Sequence, residues 1–298
     1  MENILQINNL YKNYGRIKAV QDLSLSVAPG SVFGLLGPNG SGKTTTLGVI
    51  LDVVKKTSGD YSWFDEPPTH HSRKKIGAIL EAPAFYPYLS AVENLKIVAR
   101  IKGIDNNSID KVLEKTGLID RKKDRYQTYS LGMKQRLAIA SALLSDPHVL
   151  VLDEPTNGLD PQGIADVREL ILKISAEGKT IILASHLLDE VQKVCTHFAV
   201  LNKGKNLYSG SVEEALSNTE SVEVASPNMD ELANIVEQFE FAKDLSRNSQ
   251  KLTVHLTQNK TSHDLNAFLV SKGIIVSHLA TERKNLEEQF LEILSQSK

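Results

Sequence analysis

The segment Gly37-Pro38-Asn39-Gly40-Ser41-Gly42-Lys43-Thr44-Thr45 restricts this chain more than any other, because it stands between two stretches of opposite texture. Before it, Val32-Phe33-Gly34-Leu35-Leu36 is an unbroken apolar run, as a strand covered on both faces requires. After it, Lys43 to about Asp52 reads as a helix. Strand, Gly-x-x-x-x-Gly-Lys-Thr and helix together are the context in which a glycine-rich turn becomes a phosphate-binding loop. Glycines let backbone N–H groups turn inward on an anion, and the helix N-terminus adds its positive end. Lys43 then reaches the β- and γ-phosphates of a nucleotide such as ATP, and the Thr44 hydroxyl can ligate Mg²⁺. A plain glycine turn would satisfy the pattern but not its flanks.

Such a loop needs an acidic partner for the metal. A second apolar run from His148 to Leu152 ends at Asp153-Glu154. Asp153 is expected to hold Mg²⁺, directly or through water, and Glu154 to polarise the water that attacks the γ-phosphate. Two solvated carboxylates at a loop start are the bland alternative, which weakens beside a phosphate-binding loop.

The remaining pattern predicts an α/β fold. Ile4 to Leu10 and Ser24 to Val27 alternate, as short antiparallel strands do. Ser90-Ala91-Val92-Glu93 reads as a capping box opening a helix that stops at Gly103. A second helix ends near Gly117, and a third runs from Gly132 to about Leu144, halted by Asp146-Pro147. Asp160 caps a helix begun by Pro161, and Thr180 to Ala184 returns as a strand. The expectation is a P-loop NTPase core with a mainly parallel sheet, a small antiparallel β subdomain and a helical subdomain at about 86–146. Residues 1–216 would form this ATPase domain. Residues 217–298 would form a smaller α+β domain of order strand, helix, strand, strand, helix, strand, possible for a ferredoxin-like fold, with a last helix from Leu286 to Leu294.

Composition removes some classes of function. A net charge of −2 and a pI near 6.5 give no global basic field for nucleic acid. Cys195 is the single cysteine, so no intrachain disulfide forms, and a buried small hydrophobe is its expected role. No apolar stretch approaches a membrane span, and the start lacks the pattern of a signal peptide. The expected location is cytoplasmic. His255, His263 and His278 are scattered rather than spaced as metal ligands.

From about Ile4 to Gly210 the sequence resembles the ATP-binding-cassette ATPases. Tyr129-Ser130-Leu131-Gly132-Met133-Lys134-Gln135-Arg136 is similar to that family's signature (Leu-Ser-Gly-Gly-Gln and its continuation), with Ser130 and Gly132 matching and Tyr129, Leu131 and Met133 departing. Asn157-Gly158-Leu159-Asp160 resembles the D-loop, and His186 the switch histidine that contacts the γ-phosphate. Tyr14 matches the aromatic that stacks on adenine. Where the family places the Q-loop glutamine this chain has Glu81, which can accept Mg²⁺ or water contacts but cannot donate an amide hydrogen bond. Phe85-Tyr86-Pro87-Tyr88-Leu89 stands where the family docks its membrane subunit.

The resemblance implies ATP hydrolysis with Lys43, Glu154 and His186 as catalytic residues and Mg²⁺ as metal. It implies a second cassette subunit, a homodimer by expectation, and separate integral membrane permease subunits that hold the protein on the inner face of the membrane. Glu154 to Ile164 and Glu81 to Tyr86 resemble the subgroup of exporters linked to bacitracin and lantibiotic self-protection. A soluble cassette ATPase acting on ribosomes or DNA is the alternative, against which stand the single cassette and the lack of a long heptad coiled coil or a basic arm. A P-loop kinase or GTPase would need neither the signature helix nor His186.

Overall fold

The alternating residues at the start form a long hairpin in the computed structural model, which describes residues 3–80, 85–217, 220–248, 250–257, 260–283 and 290. Strands β1 (Leu5–Tyr14) and β2 (Ile17–Val27) pair antiparallel from Leu5 opposite Val27 to Tyr14 opposite Ile17. Both run longer than the expected Ile4 to Leu10 and Ser24 to Val27, because register shifts after Ile7 interrupt the alternation without ending the pairing. Next comes β3 (Val32–Leu36), buried along its whole length, then the glycine loop and helix α1 (Lys43–Ile50). Strand β4 (Ser58–Trp63) returns to β1 and completes a three-stranded antiparallel sheet. Trp63 lies fully buried beneath it and donates its indole N–H to the Ile50 carbonyl at 2.8 Å.

Helix α2 (His70–Lys74) leads into β5 (Ile76–Ile79). The helical segment follows. Ser90 and Glu93 form the expected capping box at the start of α3 (Ala91–Lys102), and Gly103 ends it in the left-handed conformation. Helix α4 (Ser108–Lys115) precedes α5 (Leu131–Leu143), which opens one residue before Gly132 because the Ser130 hydroxyl accepts the Met133 N–H.

Strand β6 (Val149–Asp153) is buried throughout, and each aliphatic side chain from Val149 to Leu152 contributes about 2 kcal/mol by leaving water. The Asp160 carboxylate accepts the Gly163 N–H at 2.9 Å and so caps α6 (Pro161–Ala176), whose buried stripe is Val167, Leu170, Ile171 and Ile174. Then come β7 (Thr180–Ser185), α7 (Leu188–Val194), β8 (His197–Asn202) and β9 (Lys205–Ser211). The main sheet has the order β5-β6-β7-β3-β8-β9, parallel except for the hairpin of β8 and β9. In such a sheet, ligands bind beyond the carboxyl ends of the strands. Cys195 is buried beneath β3, and burial pushes its thiol up.

These elements belong to one compact unit, Met1–Ser211; Val212–Ser295 form another. The second begins with α8 (Val212–Ser217) and continues β10 (Glu220–Ala225), α9 (Met229–Val236), β11 (Ala242–Arg247), β12 (Leu252–Leu256), α10 (Ser262–Ser271) and β13 (His278–Arg283). Its sheet order is β11-β12-β10-β13, with every pair antiparallel, the arrangement of a split βαβ unit. Val222, Val224, Leu252 and Val254 pack against Leu232, Val236, Leu265 and Leu269. The last strand starts at His278 rather than at the expected Gly273, since the Ile274 N–H is drawn back to the Leu269 carbonyl and closes the helix. The expected helix from Leu286 to Leu294 falls, but for Phe290, outside the described residues.

Candidate active site

The phosphate-binding loop is shaped by contacts that admit no side chain. A Cβ on Gly37 would lie 2.3 Å from the Leu201 carbonyl, and Gly42, at φ 107°, would place one 2.5 Å from the Ala19 carbonyl. The Ser41 N–H donates to the Pro38 carbonyl at 3.1 Å, while the buried Ser41 hydroxyl has no hydrogen-bond partner. A buried hydroxyl without a partner, in a cradle whose glycines hold the backbone close, fits an oxyanion. Lys43 is only 5% exposed, and its ammonium donates to the Gly37 carbonyl at 2.7 Å.

Three strand ends deliver the rest. Gly37 follows β3, Glu154 follows β6 and His186 follows β7. Asp153 closes β6 as a buried carboxylate. Glu154 takes the left-handed conformation, φ 47°, at a cost of about 1–3 kcal/mol, and its N–H is held by the Ala184 carbonyl at 3.0 Å. That turn brings its carboxylate between two bases. One oxygen lies 3.3 Å from Lys43 Nζ, the other 2.8 Å from His186 Nδ1. The carboxylate therefore holds Lys43 and His186 together.

A cavity of about 620 Å³ opens beside the loop, lined by Asn39 to Thr45, Glu154 and Tyr14. Tyr14 stands at the end of the β1–β2 hairpin, 47% exposed, with Lys12 Nζ 4.5 Å from its ring centroid. It contributes a half-exposed aromatic ring to the lining. Ser130 and Gly132 do not line the cavity; the start of α5 lies instead by the segment Asn157 to Asp160, where a Cβ on Gly158 would sit 3.4 Å from Leu131. Glu81 lies outside the described residues. The structure adds lining residues that sequence reading missed: Arg16, Lys18, Gln21 and Lys203. Lys203 is far from the loop in sequence, and only the Lys203-Gly204 dipeptide after an apolar run hinted at a hairpin turn.

The family described as ABC transporter matches residues 20–157. The chain is 38% identical to YhcH, an uncharacterized ABC transporter ATP-binding protein of Bacillus subtilis (strain 168), over 100% of this chain and 98% of that one. It belongs to the ABC transporter ATP-binding proteins. The bacitracin transport ATP-binding protein BcrA of Bacillus licheniformis is 36% identical over 99% of this chain and 98% of its own. The lantibiotic transport ATP-binding protein SrtF of Streptococcus pyogenes is 39% identical over 72% of this chain and 96% of its own. Among solved structures, cbiO1 of Clostridium perfringens, part of an ABC transporter complex, has a TM-score of 0.67 at 28% identity, covering 73% of this chain and 92% of its own. As an ABC transporter ATP-binding subunit, the chain binds ATP, hydrolyses it in a cycle coupled to transport and works with membrane permease subunits. The ribosome or DNA alternative is not favoured. Among the described residues no helix is long and apolar enough to cross a membrane.

Proposed function

We propose that two copies of this chain close on two ATP molecules and so drive a permease that exports peptide antibiotics or similar compounds. The observation that carries the catalytic part is the Glu154 carboxylate bridging Lys43 and His186 at 3.3 and 2.8 Å. Entry of ATP exchanges one set of pairings for another. Lys43 and His186 pass from Glu154 to the γ-phosphate, and Glu154 is released to take a proton from the attacking water. Water oxygen bonds to the γ-phosphorus, the bond to the bridging oxygen breaks, and ADP leaves with the electron pair. Once they are on the bound nucleotide, Lys43 and the backbone N–H groups of the loop meet the charge that develops in the chemical step and supply most of the rate enhancement.

The loop from Gly37 to Thr45 cradles the phosphates, and Tyr14 stacks on the base. Thr44 and Asp153 offer a hydroxyl and a carboxylate, hard oxygen donors that suit Mg²⁺, with Glu81 a third candidate. When bound, the ion would neutralise charge on the β- and γ-phosphates. Ser130 and Gly132 would close over the ATP of the partner copy, a reading supported by their place outside this chain's own cavity. We read 1–216 as the cassette, with its helical subdomain at about 86–146, and 217–298 as an accessory domain. Tyr86 and Tyr88, 47% and 64% exposed, support docking of the permease at that subdomain, and hence a location on the inner face of the membrane.

Export of peptide antibiotics rests on the full-length likeness to BcrA and the shorter one to SrtF. A strain lacking this chain should gain sensitivity to bacitracin or a lantibiotic, and the wild-type chain but not Lys43→Ala should restore resistance. Unaltered sensitivity to both would remove that substrate class. Steady-state ATPase assays of Lys43→Ala and Glu154→Gln test the catalytic part, since wild-type turnover in either would refute it.

A further inference from the structure

The cavity holds three cations that the hydrolysis does not use, Arg16, Lys18 and Lys203, and the third is set apart by its backbone. Lys203 stands in the turn joining β8 to β9, where Asn202 pairs with Lys205 and only Lys203 and Gly204 make the reversal. Both have positive φ, 47° and 80°, the type I′ geometry that suits the twist of a hairpin and favours Asn, Asp or Gly. A lysine there occupies a backbone conformation that its Cβ disfavours. Residues in such conformations persist where their surroundings fix them, and they cluster at binding sites.

Here the surroundings are the site itself. The Gly204 N–H donates to the Ser41 carbonyl at 2.9 Å, the Gln21 N–H donates to the Gly204 carbonyl at 2.7 Å, and the Gln21 side-chain amide donates to the Lys203 carbonyl at 2.7 Å. Gly204 packs so tightly that a Cβ would lie 2.8 Å from the Ala19 carbonyl. The turn is thus clamped between the phosphate-binding loop and β2, while Lys203 lines the cavity. Charge points the same way. Arg16, Lys18, Lys43 and Lys203 line the cavity against one carboxylate, Glu154, which is already engaged by Lys43 and His186. Among the described residues Lys203 enters no ion pair.

We propose that Lys203 is a second phosphate-binding cation, meeting the α- and β-phosphates from the side opposite the hydrolytic group. The proposal rests on the nucleotide-binding reading of this cavity. The Lys203 turn packs on Ala19 of β2, the strand whose first residue, Ile17, pairs with Tyr14, whereas Lys43 with Glu154 and His186 marks the end where the γ-phosphate reacts. Lys203 acts on binding rather than on the chemical step.

The test is equilibrium titration of the full chain with ATP, ADP and adenosine, comparing wild type with Lys203→Asn and Lys203→Arg. Asparagine suits the turn better than lysine, so Lys203→Asn should match or exceed the wild-type Tm while losing the cation. It should bind ATP and ADP about three- to tenfold more weakly at low salt, by equal factors, with the gap narrowing as salt rises. Adenosine binding should not shift, Lys203→Arg should stay near wild type, and the loss in kcat/KM should lie in KM. Wild-type ATP affinity in Lys203→Asn, or an equal loss for adenosine, overturns the proposal alone. A wild-type chain that binds none of the three overturns the nucleotide reading and this inference with it.

Discussion

Glu154 combines a strained backbone with two neighbours that its carboxylate engages, Lys43 and His186, a combination of little use to stability alone. Replacing it with Gln keeps the shape, removes the charge that ties Lys43 and His186, and removes the group that takes the proton. ATP turnover should fall about 10²- to 10⁴-fold, the range for loss of a positioned general base. ATP affinity should hold or rise, because Lys43 no longer has a carboxylate competing with the phosphates. Stopped-time hydrolysis and nucleotide titration on one preparation separate the two effects, and joint loss of binding and turnover would contradict the assigned role. Gly37 makes a different residue-scale prediction. Gly37→Ala puts a methyl group 2.3 Å from the Leu201 carbonyl, so the loop or β8 must move. Overpacking of this kind costs about 1–3 kcal/mol, visible as a lower Tm together with weakened ATP binding.

Helix α3 shows how one element carries its own pH response. The hydroxyl and backbone N–H of Ser90 both donate to the Glu93 carboxylate, at 2.7 and 2.8 Å, and these hydrogen bonds hold its pKa below the usual carboxylate range. A carboxylate lowered on folding contributes stability above its unfolded value of about 4.3, and that contribution is lost as pH falls through the folded value. Thermal melts of wild type and Glu93→Gln should therefore differ at neutral pH and converge below about pH 4. A constant gap across that range would mean that the cap does not titrate as described. This cap was legible in the sequence, as were α5, α6 and the buried strands β3, β6 and β7, because hydrophobic runs, caps and breakers are local signals. Strands β8 and β9 were not read, and β11 was counted in the order without being placed, since β9 and β11 hold mostly polar residues and show no hydrophobic run. The site divides in the same way. The loop and Asp153-Glu154 announce themselves by local chemistry and His186 only through the family resemblance, whereas Lys203 enters the cavity because a hairpin far along the chain is tied to Ser41 and Gln21.

In the molecule as a whole, two groups of candidate site residues do not meet within one chain. The cradle, Glu154 and Tyr14 surround the cavity, while Ser130 and Gly132 open α5 away from it, beside Asn157 to Asp160. The Ser130 hydroxyl and the first N–H groups of α5 supply hydrogen-bond donors and the positive end of a helix dipole, with which an anion held by another copy could pair. ATP would then act as the ligand that joins two copies, so that assembly depends on the nucleotide rather than on a large apolar patch. Light scattering should show wild type as a monomer without ATP, and Glu154→Gln as a dimer with ATP and Mg²⁺, since hydrolysis no longer dissolves the contact. Adding Lys43→Ala should abolish the dimer by removing ATP. Adding Ser130→Arg should abolish it while leaving ATP binding by the monomer close to normal, because Ser130 lies outside the chain's own cavity. A dimer that survives Ser130→Arg would place the closing surface elsewhere. A Glu154→Gln chain that binds ATP yet stays monomeric would mean that closure requires a different cassette or the permease itself.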